Sequence, residues 1–431
     1  MAQSAKLEIA AHQSVPLTGR RYRVPLVLIT SLFFLWALGV NFNDILIPHL
    51  KKAFRLTDLE SSLIQSAFFG GYFLAALPAG WLMERIGYKK GILTGLALCS
   101  IGALLFLPAA SLLLYGFFLF ALFVMACGQS FLEVAANPYV TILGPADSAE
   151  RRLNLAQSFN SVGAVVTPII GAAFILTNTP FAAGETSAVE ANTVKVPYLV
   201  IAGIFLAVAA MIYFTRLPDV REECQSAAAR PRLRELWQHS HLVRGVLAQL
   251  LYVGAQVGVA SFVIRFAEHL APGIPDKTAA NYLKLHLLGF MLGRFAGSAL
   301  MKYIPAPRLL GAFAAGAMAC VLLALTLSGG IPIWAVVLIG FFHSIMFPTI
   351  FALSIKGLGP LTKLGSSLLV MAIIGGAIFP ALMGYISDVL NIQRAFAVPL
   401  FCYAYILYFS LKGCQPAAIP SGAPSMALEA E

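Results

Sequence analysis

AGWLMERIGYKK (residues 79–90) returns, in a weaker form, 217 residues later as AGSALMKYIPAP (296–307). The match has company. GAVVTP (163–168) is answered by GGAIFP (375–380), and NPYVTILG (137–144) by FPTIFALS (347–354), at offsets of 212 and 210 residues. Three matches in one order and at nearly one spacing mark an internal duplication, the small differences being loop insertions. The chain therefore reads as two similar halves. The stretch between them, RLPDVREECQSAAARPRLRELWQHS (216–240), is the longest polar connection in its interior.

Composition says which solvent the halves meet. Of 431 residues, 59% are hydrophobic and 11% charged, with a mean hydropathy of +0.83. Soluble proteins carry about 25% charged residues, so the chain belongs in a bilayer. A helix needs about 20 apolar residues to cross. About twelve such segments are expected, near 24–48, 60–82, 91–109, 112–142, 153–176, 197–215, 242–267, 278–301, 308–328, 332–355, 364–388 and 395–411. The fold class expected is an all-α integral membrane protein. Its parts are a tail (1–23), a six-helix half (24–215), a linker (216–240), a second half (241–412) and a tail (413–431).

Net charge is +10, which in a bilayer protein reports topology rather than nucleic-acid binding. Most basic residues fall at Lys6–Arg23, Arg85–Lys90, Arg151–Arg152, the linker, Lys302–Arg308, Lys356–Lys363 and Lys412. Short loops rich in Lys and Arg stay inside, so both termini are expected in the cytoplasm, with Lys51, Lys52 and Arg55 against the trend. Residues 1–20 are polar and the following apolar stretch lacks a cleavage site, so no cleavable signal is expected. The 6 cysteines are scattered without metal-ligand spacing. No nucleotide loop, metal cluster or nucleophile elbow is present, so an enzyme and an ATP-driven pump are both disfavoured and no cofactor is expected.

The turn GWLMERIGYKKG (80–91) carries its own chemistry. Gly80 and Gly87 permit close backbone approach and a sharp turn. Glu84, Arg85, Lys89 and Lys90 can pair with opposite charges or helix ends when that side of the bundle closes. A gating role is expected for these six residues. A plain basic turn is the alternative.

Two carboxylates lie within the apolar segments, Asp44 in VNFNDILIPHL (40–50) and Glu133 in CGQSFLEVAANPYV (127–140). A charge in hydrocarbon costs several kcal/mol and is kept where it has a partner, a cavity or a task. Gln129, Glu133 and Asn137, spaced i, i+4, i+8, line one helical face, and Pro138 reads as a local break. A carboxylate taken out of water holds its proton more tightly, which suits proton uptake and release. A structural carboxylate satisfied by its amides or an arginine is the other reading. Asp44 stands among Asn41 and Asn43, donors and acceptors that suit sugar hydroxyls. It could equally sit at a wet helix end beside Lys51 and Lys52.

Two further helices offer polar faces: Asn154, Gln157 and Asn160 in the fifth, Gln249, Tyr252 and Gln256 in the seventh. Tyrosine suits both the apolar face and a hydroxyl of a sugar. Arg294, in a helix interior, is expected to pair across the bundle or to snorkel. Arg265 and Glu268 have i, i+3 spacing for a pair.

With these residues in view, the duplicated six-helix plan resembles the major facilitator superfamily, and GWLMERIGYKKG resembles its signature loop, with Glu84 where Asp is usual. Within it the chain resembles the bacterial fucose–galactose–glucose:proton symporters over roughly 25–412. The specific blocks are NFNDILIPHL, QSFLEVAANPYVTILGP, LNLAQSFNSVGA, AQVGVASFVIRFA, MFPTIFALSIKGLG and KLGSSLLVMAIIGGAIFPALMGYISD.

The resemblance implies symport of a hexose or 6-deoxyhexose with a proton into a bacterial cell, across the inner membrane, by a monomer. It implies proton coupling at Glu133 and Asp44, with Asn41, Gln157 and Asn160 in the sugar cavity. The substrate-binding set expected in full is Asn41, Asn43, Asp44, Gln129, Glu133, Asn137, Gln157, Asn160, Tyr252 and Gln256. The rivals are a sodium-coupled or uncoupled carrier on the same fold, then an exporter or a non-transporting sensor.

Overall fold

The computed structural model describes residues 25–39, 41, 54, 58–175, 195–215, 217 and 233–415. Among them there is no strand. The first span, α1, runs Pro25–Gly39. Next, α2 and α3 together run Asp58–Leu112 and divide at Gly87, whose φ is 78°. Their apolar part, Leu63–Leu112, has 50 residues. At 1.5 Å per residue that is about 75 Å, more than twice the ~30 Å of a hydrocarbon core, so it crosses twice. The reversal falls on Gly87 because a Cβ is strained at that positive φ.

The remaining spans are α4 (Tyr115–Ile142), α5 (Ala149–Ile175), α6 (Lys195–Phe214), α7 (Ser240–Leu270), α8 (Asp276–Leu300) and α9 (Ala306–Thr326). Then come α10 (Gly330–His343, resumed as Met346–Ile355), α11 (Thr362–Met371 and Gly375–Val389) and α12 (Ala397–Tyr408, continued by a π turn to Gly413). Among the described residues, the α2–α3 stretch, α4, α6, α7, α9, α10, α11 and α12 are long and apolar enough to cross a membrane, while α1 is shorter and α5 and α8 are more polar. Pro138, read from sequence as a break, lies inside α4, which continues to Ile142. Membrane helices tolerate such prolines because neighbouring groups satisfy the freed carbonyl. At its end Arg152, from α5, donates to the carbonyls of Val140 (3.3 Å), Thr141 (2.6 Å) and Pro145 (2.6 Å), so the C-terminus of α4 is capped by its neighbour.

Within each half the helices pack through aromatic and small residues. Tyr198 of α6 stacks on Phe106 of α3 at 3.8 Å between centroids. Large side chains such as Phe214 and Phe401 point outward, where lipid is the solvent. Two helices depart from this apolar pattern: α5 and α8 are the least hydrophobic of the long helices. They are also the ones that meet across the middle of the molecule, α5 on α8 and α10, while α2 meets α11.

Because the chain alternates direction, the ends of α2, α4, α8 and α10 and the beginnings of α3, α5 and α11 share one side. The polar and ring contacts between the halves, among the described residues, cluster toward that side. Lys356 pairs with Glu150 at 3.0 Å. Asn154 Nδ2 donates to Thr349 Oγ1 at 3.1 Å, and Ser298 Oγ to the Arg151 carbonyl at 3.4 Å. Phe159 meets Phe295 edge-on, and Lys363 Nζ lies 5.0 Å from the Tyr88 ring centre. The bundle is closed at the end bearing the 80–91 turn.

Candidate transport site

The polar face of α4 sits in the middle of the molecule. Gln129 and Asn137 are fully buried and Glu133 is 4% exposed. Gln129 is tied to two other helices by a relay: Trp36 Nε1 of α1 donates to Tyr72 Oη of α2 at 3.0 Å, and Tyr72 donates to Gln129 Oε1 at 3.4 Å. Ser130 Oγ donates to the Tyr72 carbonyl at 3.1 Å, fixing α4 against α2 one residue further. The Gln129 Nε2, the Glu133 Oε2 and the Asn137 Nδ2 are all buried with no hydrogen-bond partner. Buried polar atoms are nearly always satisfied, so three idle atoms on one stripe leave room for further hydrogen bonds there.

The fifth helix faces this stripe. Gln157 Nε2 donates to Asn137 Oδ1 at 3.0 Å. Asn160 Nδ2 donates to the Phe33 carbonyl of α1 at 3.1 Å. Asn154 faces the other half instead, toward Thr349. Asn41 is half-buried and donates back to Ala37 of its own helix at 2.7 Å. Asn43 and Asp44 lie outside the described residues.

From the second half comes Arg294 of α8, 3% exposed. Its Nε donates to the Ser344 carbonyl at 2.8 Å and its Nη1 to the Gln157 carbonyl at 2.7 Å, while the guanidinium lies 4.5 Å from the Phe290 ring centre. Arg294 thus pairs across the bundle, one of the two roles read from sequence. Arg294 forms no direct ion pair with Glu133. Tyr252 of α7 is buried beside it and donates to the His343 carbonyl at 2.9 Å. Gln256, one turn further along α7, is half-buried. Arg265 stacks on Phe262, 4.1 Å from the ring centre, and forms no ion pair with Glu268.

At the closed end the six turn residues divide. A Cβ on Gly80 would collide with Ser367 of α11 and stand 3.0 Å from the Lys363 carbonyl, so glycine sets the approach of the halves. Glu84 is half-buried on the same turn. The others stay within the first half: Arg85 lies over Trp81 at 3.8 Å, and Lys89 Nζ donates to the Tyr213 and Thr215 carbonyls, each at 2.9 Å, capping α6. Lys90 is exposed. No cluster of three or more metal-ligating side chains occurs among the described residues.

Two six-helix halves around buried amides, a carboxylate and an arginine define a secondary transporter. The chain belongs to the Major Facilitator Superfamily, whose family model matches residues 29–371. It is 44% identical over 397 residues to the glucose/galactose transporter of Brucella abortus, covering 92% of this chain and 95% of that protein. It is 43% identical over 415 residues to the L-fucose-proton symporter of Escherichia coli K12, with the same coverage. The crystal structure of the major facilitator transporter FucP in the outward conformation matches with a TM-score of 0.85 at 42% identity, over 91% of this chain and 99% of that one. The proton:xylose symporter XylE, at 13% identity and a TM-score of 0.72, shares the fold. These relatives are transporters by name, none an enzyme.

Sequence reasoning gave Gln129, Glu133 and Asn137 as one helical face and Gln157 on another helix, and the fold brings Gln157 to Asn137. It did not single out Trp36, Tyr72, Glu150, Thr349 or Lys356. The aromatic pair read as core. The others belong to contacts between residues 195 and 206 positions apart, which no helical spacing reveals.

Proposed function

We propose that this chain carries a hexose or 6-deoxyhexose together with a proton into the cell, across the bacterial inner membrane, by alternating access. The observation that carries the reading is the buried stripe Gln129–Glu133–Asn137 with its three idle polar atoms, facing Arg294 from the other half. The names of the relatives support it: glucose/galactose transport in one, L-fucose with a proton in another.

Glu133 is the proton carrier. Ionised, it attracts Arg294, which is anchored on the Gln157 carbonyl. Protonated, it no longer attracts the arginine, and its hydroxyl becomes a donor for sugar. Gln129, Asn137, Gln157, Asn160 and Gln256 supply amides, and Tyr252 an aromatic face, for a neutral polyol. Asn41, Asn43 and Asp44 extend this set from the first helix, with Asp44 binding sugar hydroxyls and sharing or gating the proton. Coupling is thermodynamic: proton and sugar each favour the state that the other favours.

The basic-loop bias supports both termini, with the linker 216–240, in the cytoplasm. On that orientation the 80–91 turn is cytoplasmic and the molecule is shut toward the cytoplasm, with Gly80 and Glu84 at the gate against α11. The test is external pH in lightly buffered, de-energised cells given L-fucose, D-glucose, D-galactose or N-acetylglucosamine in turn. Alkalinisation with one sugar, lost in Glu133→Gln, is expected. No pH change with any of them, alongside sodium-dependent uptake, would replace the proton with sodium.

A further inference from the structure

The polar lining does not end at Glu133. Asn137 lies one turn further along α4, toward the closed end, and accepts from Gln157. One turn back along α5, in the same direction, is Asn154, and across the midline from it is Thr349 of α10. Both Asn154 and Thr349 are fully buried. Asn154 Nδ2 donates to Thr349 Oγ1 at 3.1 Å and to the Glu150 carbonyl at 2.8 Å, but its Oδ1 is buried with no partner. The Asn137 Nδ2 is in the same condition.

A contact built only to shut the bundle has no need of idle polar atoms, since an apolar pair closes without leaving any buried. The Phe159–Phe295 contact shows that this interface uses apolar closure as well. When the halves part at this end, the Asn154–Thr349 bond must break. That frees an amide and a hydroxyl on opposite walls of the opening, with the Asn137 amide one layer deeper. Each can both donate and accept, the pairing that sugar hydroxyls require.

We propose that Asn137, Asn154 and Thr349 form an inner sugar subsite that exists only when the closed end is open, so that the residues locking one state receive the substrate in the other. The ligand is the neutral polyol of the transport reaction, and the inference rests on the sugar-transport reading above. In the closed state Asn154 Nδ2 is held by Thr349 Oγ1 while Asn154 Oδ1 stays idle. In the open state a hydroxyl of the departing sugar replaces that bond, so release proceeds by exchange of hydrogen bonds.

The two roles of Thr349 have opposite kinetic signs. Loss of a closure bond alone shifts the empty carrier toward the inward-open state, which lowers KM measured from the inside and raises KM from the outside. Loss of a sugar ligand raises KM from the inside. A background in which closure is already loosened separates them. The Glu150→Gln, Lys356→Ala double variant removes the ion pair next to Asn154 and biases the empty carrier inward.

The experiment is zero-trans sugar flux in right-side-out and inside-out vesicles, with Thr349→Val added to that background and Thr349→Ser as the conservative partner. The proposal expects the inside KM to rise about three- to tenfold with valine, the range for one lost hydrogen bond, and to return with serine. An inside KM that is unchanged or lower with valine overturns the subsite and leaves a simple gate. Absence of sugar flux in the wild-type vesicles would instead overturn the sugar-transport reading.

Discussion

Arg294 and the backbone of Gln157 are joined at 2.7 Å although 137 positions separate them in the chain. The bond links α8 to α5, hence one half of the bundle to the other, near Glu133, the proposed proton carrier. Because Arg294 also holds the Ser344 carbonyl, its position follows both α10 and α5. On the proposed mechanism, a charge change at Glu133 acts through this arginine where the halves touch.

Arg294→Lys is expected to lower net sugar uptake by roughly tenfold, the worth of one charge-assisted hydrogen bond at about 1.5 kcal/mol. A lysine has one nitrogen where arginine uses two, so it cannot reach both carbonyls in a fixed fork. Initial rates of labelled-sugar uptake check this, and wild-type rates would show the bridge to be dispensable.

Glu133→Gln should abolish accumulation against a gradient while sparing exchange of labelled for unlabelled sugar. Glutamine mimics the protonated acid in shape but releases no proton. Counterflow beside energised uptake gives the answer. A mutant that concentrates sugar like wild type removes Glu133 from the coupling step.

Tyr72→Phe breaks the relay from Trp36 to Gln129 and frees the Gln129 side chain. Sugar affinity should fall several-fold, about 1 kcal/mol for one lost hydrogen bond, with folding intact. Equilibrium binding on purified protein measures it.

Gly80→Ala forces a methyl group into Ser367. The end bearing the 80–91 turn should close less readily, so KM for sugar added outside should rise. Ser367→Gly should restore only part of the loss: it removes the colliding side chain, but the Lys363 carbonyl at 3.0 Å remains a tight neighbour of that methyl.

Arg152→Ala uncaps α4, leaving the Val140 and Thr141 carbonyls without their side-chain donor. A loss of about 3 kcal/mol in stability is expected, as for other buried charged groups removed from full hydrogen bonding. Thermal unfolding in detergent, with ligand-free protein, reads it directly.

The duplicated GAVVTP and GGAIFP blocks and the hydropathy were enough to read a twelve-span bundle in two halves. The i, i+4, i+8 spacing of Gln129, Glu133 and Asn137 was enough to read a polar stripe, since a single helix sets it. Glu150–Lys356 and Asn154–Thr349 obey no such rule. Each needs two helices brought together by the fold, and in sequence they are a charge at a loop and an amide in an apolar run. Tyr72 was hidden differently: its ring reads as core, and its hydroxyl matters only because Trp36 and Gln129 arrive on either side. Asp44, prominent in sequence, keeps its role as a proposal, because it lies outside the described residues.

The meagre apolarity of α5 and α8 has a consequence for how the chain is made. A nascent segment is admitted to the bilayer largely on its own hydrophobicity, and by that measure these two are the poorest candidates. The amides and the arginine that the proposed mechanism uses are a burden to them during biosynthesis. Each packs on a greasier neighbour made just before it, α5 on α4 and α8 on α7. Replacing their polar residues by leucine should ease insertion and raise expression while transport declines, so yield and activity are in opposition along the same two helices.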